Sequence, residues 1–293
     1  MHDPEKSDSG VVATKPMNKA GVPVAQLVEP RPGTKGNADQ QNTHRTQSRA
    51  RVAQALDRVR KAARQRKKEQ FTSLLRHLNV DTLRTAHYAL KRKAAAGVDG
   101  VTWQDYDAAD LEPRLEDVHR RIHRGAYRPQ PSRRTYIPKA DGKQRPPAIS
   151  ALEDKIVQGA TVMVLNAIYE GDFVGFSYGF RPGRGPHDAL DALSTAIKIR
   201  KVNWVLDADI QNFFGSVSQD WLGHFLEHWI GDKRIIRLIQ KWLKAGILED
   251  GVVTIDDRGT GQGSVIAPLP TSTCITASIF GPNAGDGTRP EAT

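Results

Sequence analysis

The stretch VNWVLDADIQNFF, residues 202–214, does most to fix the fold and chemistry expected of this chain. Its apolar residues, uninterrupted by Gly or Pro, predict a strand over Val202–Ile210. Asp207 and Asp209 are two positions apart, so both side chains would lie on one face of that strand. A carboxylate at a strand end is a candidate ligand for Mg²⁺, and the matching chemistry is phosphoryl transfer by two metal ions. A helix cap, a surface position or a hydrogen bond to a backbone amide also explains a lone aspartate.

Further elements are predicted on both sides of this strand. Ser150 and Glu153 have the spacing of a capping box, which predicts a helix from there to about Glu170. Ser218 precedes another apolar helical period and is expected to cap that helix. A short pair of strands is predicted around Gly251, where two apolar runs flank a turn.

A basic hairpin is predicted upstream of these helices. The runs Thr135–Pro138 and Gln144–Ile149 flank the dipeptide Asp141-Gly142, which favours a tight hairpin turn. Three basic side chains surround the turn: Lys139, Lys143 and Arg145. They form either an exposed basic hairpin or a clamp on the oxygens of a triphosphate, to which Arg binds in a bidentate manner and Lys as a point charge.

The N-terminal part of the chain divides into a polar leader and a basic helical segment. Residues 1–48 contain many Gly, Pro and small polar residues without a period, which predicts a disordered leader. The pattern becomes helical over Gln47–Leu90, with Asp81 as the expected N-cap of a second helix. Between Arg49 and Lys68 there are nine Lys or Arg residues and one acid, Asp57. This helix is either a solvated basic face or an arm that binds phosphates.

Composition limits the possible partners and compartments. The chain has 293 residues, a formal net charge of +10 and a pI near 9.7, which favours a polyanionic partner such as nucleic acid. A soluble protein that is merely basic is the alternative explanation of this composition. The single cysteine, Cys274, excludes an internal disulfide framework and a zinc site built from cysteines. Because no apolar run could span a bilayer and no signal peptide is evident, we expect a cytoplasmic protein without a membrane partner.

Five motifs in this order resemble the reverse transcriptase, or maturase, encoded by bacterial group II introns. The resemblance covers about residues 67–269, and its order is more specific than any single motif. The motifs are KEQFTSLLRHLNVDTLRTAHYALKRKAAAGVDGVTW (68–103), YIPKADGKQRP (136–146), LEDKIVQGA followed by SYGFRPGRGPHDAL (152–190), VLDADIQNFF (205–214) and GTGQGSVIAPL (259–269).

The resemblance implies an α+β fold, with the fingers and a partial palm of a right-hand polymerase and no thumb. The palm would be an antiparallel sheet with helices. The implied divisions are a leader (1–48), a basic helical RNA-binding segment (49–93), fingers (94–200), a partial palm (201–269) and a disordered tail outside the family (270–293).

The resemblance also assigns roles to single residues, with RNA and a DNA primer as partners. Asp209 and the Ile210 carbonyl would hold Mg²⁺, and Asp207 would support them. The nucleotide site would contain Lys143 and Arg145 on the triphosphate, Phe213 under the sugar, and Gln262 near the template. RNA would be contacted by Arg60, Arg64, Lys67, Lys68, Arg181 and Arg184, the last two either touching template RNA or supporting the fingers.

One departure from the family pattern bears on activity. The family has a Tyr-x-Asp-Asp hairpin after the motif that contains Gln262-Gly263, and no such hairpin is found in this sequence. The Asp256-Asp257 pair comes before that motif. After Leu269 the sequence reads PTSTCITASIFGPNAGDG, which is unlike the family. The expectation is a truncated member that is catalytically inactive on its own. The alternatives are a non-catalytic protein that binds intron RNA and a non-functional remnant of a mobile element.

Overall fold

The computed structural model combines α-helices with short strands. It describes residues 35–66, 69–108, 110–138, 142, 144–173, 175–200, 202, 204, 207, 209, 210, 212–260 and 265, with side chains described from Thr46 onward and that of Arg200 excluded. The helices are α1 (Lys35–Gln65), α2 (Val80–Ala89), α3 (Trp103–Ala108), α4 (Leu111–His123), α5 (Leu152–Tyr169), α6 (Pro186–Arg200), α7 (Phe213–Ser216), α8 (Gln219–Trp229) and α9 (Lys233–Leu243). A 3₁₀ turn spans Leu75–His77.

The strands form a small mixed sheet and a separate hairpin. They are β1 (Ser132–Arg134), β2 (Ile137–Pro138), β3 (Gln144–Arg145), β4 (Ala148–Ile149), β5 (Ile247–Glu249) and β6 (Val252–Thr254). The sheet order is β4-β1-β5-β6, in which β1 runs antiparallel to β4 and parallel to β5. The expected sheet was antiparallel, so the parallel β1–β5 pair corrects that prediction. Strands β2 and β3 form the predicted hairpin, and β5 and β6 the pair predicted around Gly251.

The core lies where α1, α2 and α5 pack against each other, with α4, α8 and α9 around them. Helix α5 is buried on almost every side, and Ile156, Val164 and Leu165 are fully inaccessible. Each side chain of this kind that is fully buried contributes roughly 1.5–3 kcal/mol to folding. Helix α1 contributes Val52 and Val59 to this packing and is thereby held against the rest of the molecule.

Three predicted helix starts differ from the structure. Helix α1 begins at Lys35, so the end of the predicted disordered leader is helical. The N-cap of α2 is Asn79 rather than Asp81, because Asn79 comes first in extended conformation and accepts a hydrogen bond from the Thr82 amide at 2.9 Å. Helix α5 has Ala151 at its N-cap without a side-chain cap, so the capping box at Ser150 is wrong.

The helix ends predicted further along agree with the structure. Helix α5 stops at Tyr169 beside the expected Glu170, and the Ser218 side chain caps α8 by accepting a hydrogen bond from the Trp221 amide at 3.4 Å. In the part of the chain that the structure describes, no helix is long and apolar enough to cross a membrane.

Candidate nucleic-acid interface

The segment around Asp209 does not form the predicted strand in the residues that the structure describes. Residues 202, 204, 207, 209 and 210 have no strand conformation, and Trp204 is 92 % exposed. A strand needs a partner for its backbone groups, and none of the described strands pairs with these five residues. The prediction over Val202–Ile210 is therefore wrong for these five positions, because an apolar pattern cannot supply the pairing partner.

Asp209, Asp207 and Ile210 are all exposed at their positions. Among the described residues, no three His, Cys, Asp or Glu side chains come together as a possible metal-binding group. A two-metal site needs carboxylates from more than one chain segment. The described residues therefore do not by themselves fit a Mg²⁺ pair, and Asp209 could only be one member of a larger ligand set.

Phe213 lies beside the segment that leads to Gln262. It begins α7, is half-buried, and meets the Phe214 ring edge-on at 5.6 Å between centroids. The Thr260 amide donates to the Phe214 carbonyl at 2.7 Å, and Gly259 approaches the same carbonyl with a φ of +83°. Gln262 itself lies outside the described residues. The structure thus brings together the end of the motif at 205–214 and the start of the motif at 259–269, which their separation in sequence did not reveal.

The β2–β3 hairpin is exposed and carries Arg145 opposite Ile137. Arg145 is free to contact a solute, whereas Lys139 and Lys143 lie outside the described residues. The Tyr136 hydroxyl donates to the Glu249 carboxylate, which ties the base of the hairpin to the mixed sheet. Arg145 lies at this anchored end of the hairpin, where its side chain is exposed.

Helix α1 has a docked face and a charged face. On the charged face Arg60 and Lys61 pair with Asp57 at 3.5 and 3.0 Å, and Arg64 is exposed. These exposed pairs contribute little to stability. Lys67 and Lys68 lie outside the described residues.

A partly buried ion cluster, which the sequence did not reveal, helps to hold α1 in place. The Arg84 guanidinium donates to Asp81 and Glu112 and, at 2.8 Å, to the Ser48 hydroxyl. Ser48 also donates to Asp81 at 2.9 Å, so α1, α2 and α4 meet at this cluster. The hydrogen bonds that Arg84 donates to Glu112, and then those to Asp81, raise its pKa, although burial opposes this shift. Asp81 therefore helps to dock a helix rather than to begin one.

The loop SYGFRPGR uses its two arginines to hold its own shape. Arg181 is only 7 % exposed, donates to Glu170 at 2.7 Å and to the Ser177 carbonyl at 2.7 Å, and stacks over Phe173. Arg184 lies over the Tyr178 ring and donates to the Gly175 carbonyl. The placement of Arg181 leaves its guanidinium no access to RNA in this conformation, so it agrees with the supporting alternative.

A second buried network joins α5 to α9. The Tyr127 hydroxyl donates to Asp154 and accepts from the Trp242 indole at 3.2 Å. The backbone amide of Gln130 also donates to Asp154, at 3.0 Å. Burial raises the pKa of Asp154 to about 6, although these hydrogen bonds oppose the shift. This network positions the start of α5, and a polar residue inside an otherwise apolar period is the only sequence signal for it.

Comparison with known proteins supports one family. Residues 137–283 match the model of the family described as reverse transcriptase (RNA-dependent DNA polymerase). The chain is 38% identical over 189 residues to Protein YkfC of Escherichia coli, covering 63% of this chain and 49% of that protein. It is 32% identical over 216 residues to the group II intron-encoded protein LtrA of Lactococcus lactis, covering 73% of this chain and 36% of that protein.

A solved Cas6-RT-Cas1–Cas2 complex contains a chain that aligns with this one at a TM-score of 0.45 and 19% identity, covering 70% of this chain and 34% of that chain. The chain spans about half the length, or less, of the curated relatives it matches.

Proposed function

Because the chain belongs to the reverse transcriptase (RNA-dependent DNA polymerase) family, we propose that it is a maturase-like protein that binds group II intron RNA. The observation that supports this most is the similarity to a group II intron-encoded protein over 73% of the chain. The net charge of +10 suits a polyanionic partner.

The described residues offer such a partner a rigid basic surface. Helix α1 is fixed by the Arg84 cluster and by Val52 and Val59, so its exposed arginines keep a defined spacing. Defined spacing matters because phosphates along a strand have a fixed separation, and a charge held in place loses less entropy on binding. We therefore propose that the N-terminal helices form the main RNA contact.

RNA selectivity separates this function from that of a merely basic protein. The purified chain should retain a labelled group II intron RNA on a filter in the presence of excess double-stranded DNA of equal length. A merely basic protein binds both through phosphates alone, so the DNA would displace the RNA. Equal displacement by DNA would contradict the proposed function.

Template-directed DNA synthesis is the second candidate, favoured by the family match and by the motif that contains Asp209. By family chemistry, Asp209 and the Ile210 carbonyl would hold Mg²⁺, which would stabilise the attacking and leaving oxygens. Carboxylates from outside the described residues would complete the set. Arg145 would then hold the triphosphate, and Phe213 would lie under the sugar.

Primer extension tests this second candidate. The chain and its Asp209→Ala variant are given an RNA template, a DNA primer, Mg²⁺ and deoxynucleotides. Extension by the parent chain that disappears in the variant supports a polymerase whose metal site includes Asp209. Extension that survives in the variant contradicts that assignment. Absence of extension in both rejects synthesis by this chain and leaves RNA binding as its activity.

A further inference from the structure

A groove of about 680 Å³ lies between α1 and the segment that precedes α2. Its volume is within the range of sites that hold small ligands. The α1 side of the groove carries Arg58, Val59 and Arg66, and the opposite side carries Leu74 and Arg76. The apolar side chains of the groove that stay partly accessible are Ala62 and Phe71, so the floor is apolar while the rim is basic.

Two exposed arginines that line the groove, Arg58 and Arg76, both place positive charge near His77. Burial, followed by the positive charges of Arg76 and Arg58, lowers the pKa of the His77 imidazole. The Arg76 guanidinium also donates to His77 Nε2 at 3.3 Å. His77 is therefore neutral at neutral pH, and the two arginines are the cations available to an anion there.

Other polar groups allow the groove to recognise the hydrogen-bonding groups of a ligand as well as its charge. Arg66 is paired with Glu69 at 3.3 Å on the exposed rim, so it offers less free charge than Arg58 or Arg76. Thr72 and Gln70 line the groove and are exposed. The Thr72 hydroxyl can donate or accept a hydrogen bond, whereas Gln70 Nε2 already donates to the Glu227 carbonyl at 2.6 Å and its carbonyl oxygen can accept. An apolar floor, uncharged hydrogen-bonding groups and two cations together match one nucleotide, with a flat base, a ribose and a phosphate.

We propose that this groove binds one nucleotide of an RNA strand, with its phosphate held by Arg58 and Arg76 and its base against Ala62 and Phe71. The inference rests on the proposed function, and it places the RNA on a face of α1 that the sequence had not indicated. Arg60 and Arg64 follow Arg58 by two and six residues, which puts both roughly on the opposite side of the helix. They do not line the groove.

Two matched double variants test the groove against diffuse charge. Arg58→Ala/Arg76→Ala and the control Arg124→Ala/Arg128→Ala each remove two positive charges from exposed positions, and the control pair lies outside the groove. The probe is a fluorescent oligouridylate, and affinity is measured by polarisation over a series of KCl concentrations. We expect the groove pair to lose about tenfold or more in affinity and the control pair less than about threefold. The salt slope of the groove pair should shrink by about 0.7, which corresponds to the loss of one phosphate contact on a single strand.

A filling variant separates the groove from its charges. Ala62 lines the groove on the same face of α1 as Arg58, and Ala62→Phe narrows the space without changing charge. It should weaken oligouridylate binding while the salt slope stays near that of the parent chain. Thermal melting of every variant checks folding, and Arg58→Lys/Arg76→Lys, which keeps both charges, should recover part of the affinity and the salt slope.

The outcomes distinguish this inference from the proposed function. If the parent chain binds neither the oligonucleotide nor intron RNA, both fail. If the parent chain binds and the groove pair binds equally well, or if both pairs lose affinity to the same extent, the groove is not the site and the proposed function stands. Displacement of the RNA by polyglutamate at equal charge concentration would identify the groove as a site for acidic peptides and overturn the RNA assignment.

Discussion

Helices α5 and α6 both show apolar residues at helical spacing, but they use them differently. In α5 the apolar side chains are enclosed by α1, α2 and the helices around them, and Leu165 is fully buried. In α6 almost every described side chain is exposed, including Leu190 at 60 %. An apolar period therefore indicates that a helix needs a partner, and it does not tell whether the described part of the chain supplies one.

The same difference applies to the polar groups of the two regions. Asp154 of α5 is buried and bonded to Tyr127 and Gln130, whereas Asp209, after α6, is exposed. Burial sets the protonation of Asp154, whereas any reaction at Asp209 depends on further groups that the described residues do not place beside it. The predictions below test this difference, beginning with the largest expected effect.

Equal substitutions in the two helices should have very unequal effects on stability. Leu165→Ala should lower the free energy of unfolding by about 2–5 kcal/mol, because it leaves a cavity in a packed core. Leu190→Ala should change it by less than about 0.5 kcal/mol, because the side chain is already in water. Urea unfolding followed by circular dichroism measures both. Similar losses in both variants would show that α6 is covered in solution and would remove the contrast.

Removing a hydroxyl should matter only where it is buried. Tyr127→Phe removes the acceptor of the Trp242 indole and leaves Asp154 with the Gln130 backbone amide but without the tyrosine hydroxyl, so we expect a loss of about 1–3 kcal/mol. The matched control is Tyr136→Phe, which removes an exposed bond to Glu249 and should cost less than about 0.5 kcal/mol. The same unfolding assay applies. Equal effects would mean that the Tyr127 network is not desolvated.

The pKa of Asp154 predicts a smaller, pH-dependent effect. Its pKa in the folded chain, about 6, is above the ordinary value of 3.8, so the folded state binds more protons between these values. This contribution to stability is therefore present at low pH and is lost as the pH rises through about 6, amounting to about 1 kcal/mol between about pH 5 and pH 7.

The Asp154→Asn variant provides the control for this effect. It should lack this component while keeping the contributions of the histidines, so the difference between the two pH profiles isolates Asp154. Parallel profiles for the two proteins would contradict the assignment.

Much of the fold follows from local signals in the sequence. The β2–β3 hairpin was predicted from Asp141-Gly142, the cap of α8 from Ser218, and the end of α5 near Glu170, because turns and helix ends depend on neighbouring residues. The Asp81 cap was wrong because Asn79, a residue of suitable type, comes first, while Asp81 contacts Ser48 and Arg84. The Ser150 cap was wrong because its hydroxyl bonds the Ser132 hydroxyl of β1, a contact between distant residues that a local pattern does not show.

The candidate site was less accessible to prediction. The motif order identified the family, since it depends only on sequence. The strand over Val202–Ile210 failed at its described positions because pairing requires a partner strand. The groove arginines, Arg58 and Arg76, are separated by a loop, and no single motif contains both. The roles of Asp209, Ile210, Lys143, Phe213 and Gln262 in catalysis stay predictions.

The most direct test of the account is the salt dependence of binding between the whole chain and a group II intron RNA. The account predicts that the logarithm of the affinity falls linearly with the logarithm of the KCl concentration, by about 0.7–0.9 for each phosphate contacted. Absence of binding at low salt, or an affinity that does not change with salt, would contradict the claim that the basic N-terminal helices bind RNA.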